Sequence, residues 1–421
     1  MIFHILRIFV TRLGASVLSF LLVILSARWL GADGRGIISL IILNITVCGL
    51  VHQVFGGNSL IYFTKKIKST QLILVSYVWA LICCVTINSI FYFANIIPDQ
   101  YIFLTFLLSM AQCFFVTNNS ILMGTEKVAK QNMLNLFQIL LHLLFFIFAF
   151  QLLRISGVSA FIGAALCANM MVWIWSFFFL RNENNASPNT LKIAELIKVV
   201  WQYGKVIQST NLIQFLNYRF TYYLIELYCG TTTLGIYSTA MSIAESVWIF
   251  TRSLSNILYP KIVNAIDQVE IRNTTLLFLR ASFSITLLGT LGLICMPAGF
   301  YSLIFGDQFI QIKDIILFSA PGLVFMGVVN IIAHYFSGIS KVHINLKSAI
   351  IGIFCTFIIG AFLIKNHCYY GAIATTNIAY GSIFLFLFYC FVKDLKLQLS
   401  DLKISARDLR SLWGRINNST H

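Results

Sequence analysis

Apolar runs of about 20 residues or more follow one another along almost the whole chain, separated by only short polar interruptions. A run of that length matches the hydrocarbon thickness of a bilayer when helical, and lipid leaves a backbone few other ways to satisfy its polar groups. Twelve such segments can be marked: about 8–30, 37–62, 71–97, 101–123, 133–153 and 158–180, then 204–228, 234–259, 275–304, 313–337, 344–364 and 371–392. The 421 residues are 59% hydrophobic and only 10% charged, against about 25% charged in soluble proteins. An all-α, polytopic membrane protein is therefore expected.

The net charge of +15 would suggest nucleic acid as a partner of a soluble protein. Here the distribution of charge gives a different explanation, and no nucleic-acid partner is expected. With the N-terminus in the cytoplasm, only Arg28, Arg35, Arg154, Lys313 and Lys365 sort to the outer side, and Arg219 and Arg252 fall inside helices. The remaining Lys and Arg sort to cytoplasmic segments or helix ends. The positive-inside rule then predicts cytoplasmic N- and C-termini, and membrane lipids as partners. The first apolar run resembles a signal peptide, with Arg7 and Arg12 near its start, but its counterpart later in the chain argues for a retained helix.

The longest polar interruption, about 181–203, divides the segments six and six. Gly31, Gly36, Ile37 and Ser39 match Gly230, Gly235, Ile236 and Ser238 at one constant offset, each set lying between the first and second segment of its half. The expected organisation is a six-helix lobe at 1–180, a cytoplasmic linker with an amphipathic helix at 181–203, a second lobe at 204–392 and an amphipathic tail at 393–421. Parallel repeats of this kind predict two lobes around a central cleft. In the linker, Lys192, Glu195, Lys198 and Gln202 form a polar stripe opposite Leu191, Ala194, Ile197, Val200 and Trp201, as in an interfacial helix. Pro297, and Pro321 with Gly322, fall inside segments and are expected to kink them.

Charges inside the seventh and eighth segments are the chemically informative residues. Arg219 with Glu226, and Glu245 with Arg252, are each seven residues apart and so share a helix face. Counting from the outer helix ends places Arg219 and Glu245 at similar depth, where they can pair. Glu226 is expected near the outer surface, solvated, and Arg252 nearer the cytoplasm. A guanidinium stays protonated and binds phosphate through two parallel hydrogen bonds, which points to an anionic substrate. The competing reading is a neutral pair that fixes two helices together. Arg12 either snorkels to the inner interface or lines the cleft. His52, near Gln53 and Asn58, reads as a packing histidine before a coupling group.

Other chemistries lack their residues. No phosphate-cradling loop, metal-ligand spacing or nucleophile triad occurs, so no cofactor, metal or enzymatic activity is expected. The ten cysteines read as packing residues rather than a disulfide framework, although Cys229 and Cys368 both fall near the outer face. External acids are limited to Asp33, Asp99, Asp307 and Asp314, and the external loops are short.

The stretches Gln214-Phe-Leu-Asn-Tyr-Arg219-Phe, Gly235-Ile-Tyr-Ser238 and Ala244-Glu245-Ser-Val-Trp248 resemble the O-antigen flippases, in the polysaccharide branch of the multidrug, oligosaccharidyl-lipid and polysaccharide exporters. Arg28-Trp-Leu-Gly31 with Gly34 and Gly36, and Ile304-Phe-Gly306-Asp-Gln-Phe309, resemble two of that family's interhelical turns. The resemblance implies alternating-access movement of an undecaprenyl-diphosphate-linked oligosaccharide across the bacterial inner membrane, with other polysaccharide-assembly proteins as possible partners. It also implies a cationic cleft, with Arg219 and Glu245 carried over by motif. Many relatives have an acid where this chain has Thr221, which makes Glu245 the expected partner of Arg219. A drug or cation exporter of the same superfamily is the alternative, disfavoured because the first six segments contain no mid-membrane acid. A polysaccharide polymerase ranks lower still, for want of external loops.

Overall fold

The computed structural model describes residues 2–155, 157–180, 190–265 and 267–398. Among them every regular element is helical: α1 (Ile2–Gly56), α2 (Asn58–Phe63), α3 (Ser69–Phe93), α4 (Asp99–Gly124), α5 (Val128–Gln151), α6 (Val158–Leu180), α7 (Ile193–Glu245), α8 (Trp248–Asn264), α9 (Gln268–Cys295), α10 (Ala298–Phe305), α11 (Ile312–Gly338) and α12 (Val342–Leu395). A 3₁₀ turn, Asp307–Phe309, precedes α11. Eight helical stretches among the described residues are long and apolar enough to cross a membrane; the more polar α7 and α8 are not among these. The sequence-marked tail from 399 onward, and the linker at 181–189, lie outside the described residues.

Three of the longest helices are not continuous. Backbone breaks interrupt α1 at Gly31 (φ 68°, ψ −173°), α7 at Gly230 (φ 80°, ψ 171°) and α12 at Cys368 (φ 45°, ψ −122°). The first two breaks share one conformation that only glycine adopts readily, and they occupy the paired positions of the sequence offset. Each converts a long helix into two segments that reverse direction without a loop.

The chain divides into two compact units, 1–212 and 213–421. In the first, α4 packs on α3 and α6, α5 packs on α6, and α1 lies against α3, α4 and α5. Polarity is inverted relative to a soluble protein. Leu74, Val78, Val85, Ile90 and Phe93 of α3 are exposed, while Ser76 and Asn88 on the same helix are buried, as lipid solvation requires. The linker helix at the start of α7 is docked rather than simply lying at an interface. Leu196 and Val200 enter the unit's apolar core, Gln71 exchanges two hydrogen bonds with the backbone of Leu191, and Tyr203 stacks on Tyr62. Gly204 allows α7 to touch α1 backbone to backbone: a Cβ there would meet the Val54 carbonyl at 2.1 Å.

In the second unit, α11 packs on α8, α9 and α12. Pro297 does not kink a long ninth helix, as expected from sequence; α9 ends at Cys295 and Pro297 caps the separate α10. Pro321 does lie inside α11, and the opening it makes in the ladder is filled from α12. Asn377 Nδ2 donates to the Phe318 carbonyl (2.7 Å), and Asn377 Oδ1 accepts from the Gly322 N–H (3.0 Å), so the pair of ladder groups next to the proline is bridged by one side chain. A disulfide joins Cys229 to Cys368 (Cα–Cα 5.8 Å) and ties two of the breaks together. This corrects the reading of all ten cysteines as packing residues. The pairing depends on the break at Cys368, which no residue in the sequence announces.

Candidate functional site

Arg219 stands on α7 before the Gly230 break, and Glu245 is the last residue of the same helix beyond it. The reversal at Gly230 brings them together. Arg219 Nη1 donates to Glu245 Oε1 (2.6 Å) and Nη2 to Oε2 (2.7 Å), a bidentate pair at the end of the guanidinium. A third hydrogen bond runs from Nη1 to the Tyr222 hydroxyl (3.2 Å), one helical turn away, whose ring lies 5.0 Å from the guanidinium carbon.

An aromatic wall surrounds the pair. Tyr222 packs edge-on to Tyr237, whose hydroxyl bonds Thr376; Tyr218, Trp248 and Tyr380 contact one another, and the Trp248 indole donates to the Leu323 carbonyl (2.9 Å). Asn217 Nδ2 donates to the Ala349 carbonyl (2.6 Å) and fixes α7 against α12. These bonds orient α7 so that position 219 has little freedom. Glu245 is likewise placed by the backbone. After it the helix tightens through Ser246 N–H to Ile243 and Val247 N–H to Ala244 before α8 begins.

The pair is not sealed. The Arg219 side chain is 25% exposed and that of Glu245 12%. Of the five guanidinium donors, Glu245 and Tyr222 engage three. Among the described residues, Nε and the second Nη2 hydrogen have no protein acceptor. These two hydrogens lie on one side of the guanidinium and form its second fork, so Arg219 can hold Glu245 at one edge and an anionic oxygen pair at the other.

The other sequence-selected residues are not gathered here. Arg252 is exposed on α8 with its guanidinium carbon 5.9 Å from the Trp248 ring, at the edge of the aromatic wall. Glu226, expected to be solvated, is half-buried, and its Oε2 is closed off from solvent. The expectation failed because helix depth says nothing about which neighbours cover a face. His52 is fully buried in the first unit, its Nε2 within 3.2 Å of Ser76 Oγ and 3.1 Å of Thr117 Oγ1. Both neighbours are hydroxyls on helices of the same unit. Arg12 lies in α1, outside the residues whose side chains are described.

Two classes of residue were missed. Tyr218, Tyr237 and Trp248 stood in quoted motifs without a role, and Tyr222 was signalled only by its spacing of three from Arg219. Arg35 was sorted to the outer side by its place between the first and second segments, yet it is only 5% exposed, on α1 just beyond the Gly31 break. It lines a cavity of about 320 Å³ inside the first unit, together with Gln112, Gln138, His142 and Asn169.

Comparison with solved structures finds this fold in transporters. "Lipid II flippase MurJ, inward closed conformation" aligns with a TM-score of 0.71 at 16% identity, covering 96% of this chain and 91% of that one. An inward-facing multidrug resistance MATE family transporter of the MOP superfamily aligns at TM-score 0.59 and 15% identity, covering 92% and 94%. A point mutant of the Vibrio cholerae MATE transporter VcmN aligns at 0.57 and 14%, covering 93% and 98%. A search of curated proteins finds no match. At these identities the likeness establishes a shared fold and no more. The profile described as "Polysaccharide biosynthesis protein" matches residues 24–314, most of the chain, and this protein belongs to that family.

Proposed function

We propose that this protein is a flippase that moves an undecaprenyl-diphosphate-linked oligosaccharide, an O-antigen or similar repeat unit, from the inner to the outer leaflet of the bacterial cytoplasmic membrane by alternating access. The observation that carries the reading is the open second fork of Arg219, held in place by Glu245 and walled by aromatic side chains. A diphosphate supplies the paired anionic oxygens that such a fork binds. Family membership and a fold shared with a lipid II flippase support a lipid-linked saccharide as cargo. The absence of Asp and Glu from the described residues lining the first unit's cavity counts against the drug or cation exporter, whose cargo calls for an acid.

Cytoplasmic termini follow from the Lys and Arg distribution. The Cys229–Cys368 disulfide supports the same orientation, because disulfides persist on the oxidising side of a bacterial membrane. The reading is tested in cells with no other flippase for the same repeat unit. Loss of this protein should trap completed lipid-linked units on the cytoplasmic leaflet, whereas normal outer-leaflet display in its absence would reject it.

A further inference from the structure

The cavity of the first unit has an unusual donor and acceptor set for a space among apolar helices. It runs from Arg35, near the Gly31 break, to Gln112, Gln138 and Asn169 in the middle stretches of α4, α5 and α6. Gln138 Nε2 spends its hydrogens on Gln112 Oε1 (2.9 Å) and Asn169 Oδ1 (2.8 Å), and Asn169 Nδ2 donates to the Ala165 carbonyl (2.8 Å). The network thus fixes three amides and turns two polar groups loose. Among the described residues no protein group takes the Gln112 amide hydrogens or fills the Gln138 carbonyl oxygen, and neither atom is closed off from solvent-sized space. His142 Nε2 lies 3.2 Å from the Phe161 carbonyl, which can only accept, so Nε2 carries the hydrogen and Nδ1 of the neutral ring is an acceptor.

Two features select a ligand class. Adjacent fixed donors and acceptors suit hydroxyl groups, which both give and take a hydrogen bond, and the apolar remainder of the wall, with Ile38, Ile139 and Phe161, suits the C–H faces of a ring. Arg35 is the one charged group among the described lining residues, at the end of the cavity near the Gly31 break. The volume lies at the small end of the range of about 300–1,000 Å³ typical of ligand sites, enough for a single sugar ring rather than a chain.

We propose that this cavity is a sugar subsite: Gln112 and Gln138 bind hydroxyls of one monosaccharide unit. The subsite rests on the reading that the cargo is a lipid-linked saccharide, and it names where one of its sugars is recognised. Glutamine amides then contribute to specificity in the first unit, while Arg219 binds phosphate in the second.

The test uses the full chain in lipid nanodiscs, with melting temperature followed against glucose, galactose, N-acetylglucosamine, glucuronate, inorganic phosphate and choline. At least one sugar should give a saturable rise in the wild type, with its half-saturating concentration raised about tenfold in Gln112→Leu and in Gln138→Leu. General stabilisation by sugar as an osmolyte does not saturate and persists in both variants. The unliganded melting temperature of each variant reports folding. Gln138→Glu, nearly the same shape, provides a second route: it removes the donors that hold the network and adds a negative charge, so glucuronate binding should fall further than glucose binding. The subsite is rejected if no sugar gives a saturable rise, if the rise survives both leucine substitutions, if phosphate alone matches it, or if choline binds best. Transport by the Arg219→Ala variant is measured separately, so the flippase reading can stand when the subsite falls, and the reverse.

Discussion

A guanidinium offers more hydrogen bonds than one carboxylate can take, and at Arg219 the surplus is directional. Glu245 occupies the end-on fork, which both neutralises the Arg and aims its other edge. Arg219→Ala is therefore predicted to abolish transport in a proteoliposome flipping assay while leaving membrane insertion and expression intact. Arg219→Lys should retain a minority of the activity, because the charge survives but the fork does not. Glu245→Ala should cost about 3 kcal/mol and be the more destabilising of the two single truncations at this pair, since a stranded Arg219 cannot shed its charge whereas a stranded Glu245 can take up a proton. Thermal unfolding in detergent checks that ordering. The pair itself was legible in the sequence because equal depth on neighbouring segments is simple helix arithmetic. Arg35 was not, because four residues beyond Gly31 look like a turn until the break is known to occupy a single glycine.

At the scale of elements, helix breaks do the work that loops do in other folds. Gly31 and Gly230 adopt nearly the same positive-φ conformation, so Gly31→Ala and Gly230→Ala should each cost about 1–3 kcal/mol, read as a lowered melting temperature. Equal effects at the two sites would fit a duplicated six-helix repeat. The Pro321 opening gives a sharper test. Asn377→Ala strands the Phe318 carbonyl and the Gly322 N–H, and each stranded group costs about 1–3 kcal/mol. In the Asn377→Ala background, Pro321→Ala lets the ladder close so that the Gly322 N–H reaches the Phe318 carbonyl, so the two changes should be non-additive in a double-mutant cycle. Simple additivity would show that Asn377 does not bridge the opening. The repeat glycines were visible in the sequence because their identity carries their geometry. The Cys368 break was not, since cysteine has no preference for positive φ, and the disulfide that depends on it was ranked below packing for the same reason. Cys229→Ser should lower the melting temperature by several degrees, and peptide mapping without reductant should recover the two cysteines in one linked fragment.

For the whole molecule, hydropathy was enough to predict a helical membrane protein, since bilayer thickness sets segment length and lipid leaves the backbone little choice. The family, and a fold shared with a MurJ structure, agree with the resemblance carried by the motifs around Arg219 and Glu245. Which polar side chains face a cavity could not be read in advance. Gln112, Gln138 and Asn169 lie on three helices, and no sequence period relates residues on different helices. The central claim is that the protein carries a lipid-linked oligosaccharide outward and that Arg219 grips its diphosphate. The most direct measurement reconstitutes purified wild type and Arg219→Ala in vesicles bearing an undecaprenyl-diphosphate-linked oligosaccharide on one leaflet, and follows the sugar's exposure to an impermeant lectin on the other. Wild-type vesicles should expose it and Arg219→Ala vesicles should not. Equal exposure by both, or none by the wild type beyond protein-free vesicles, would contradict the claim.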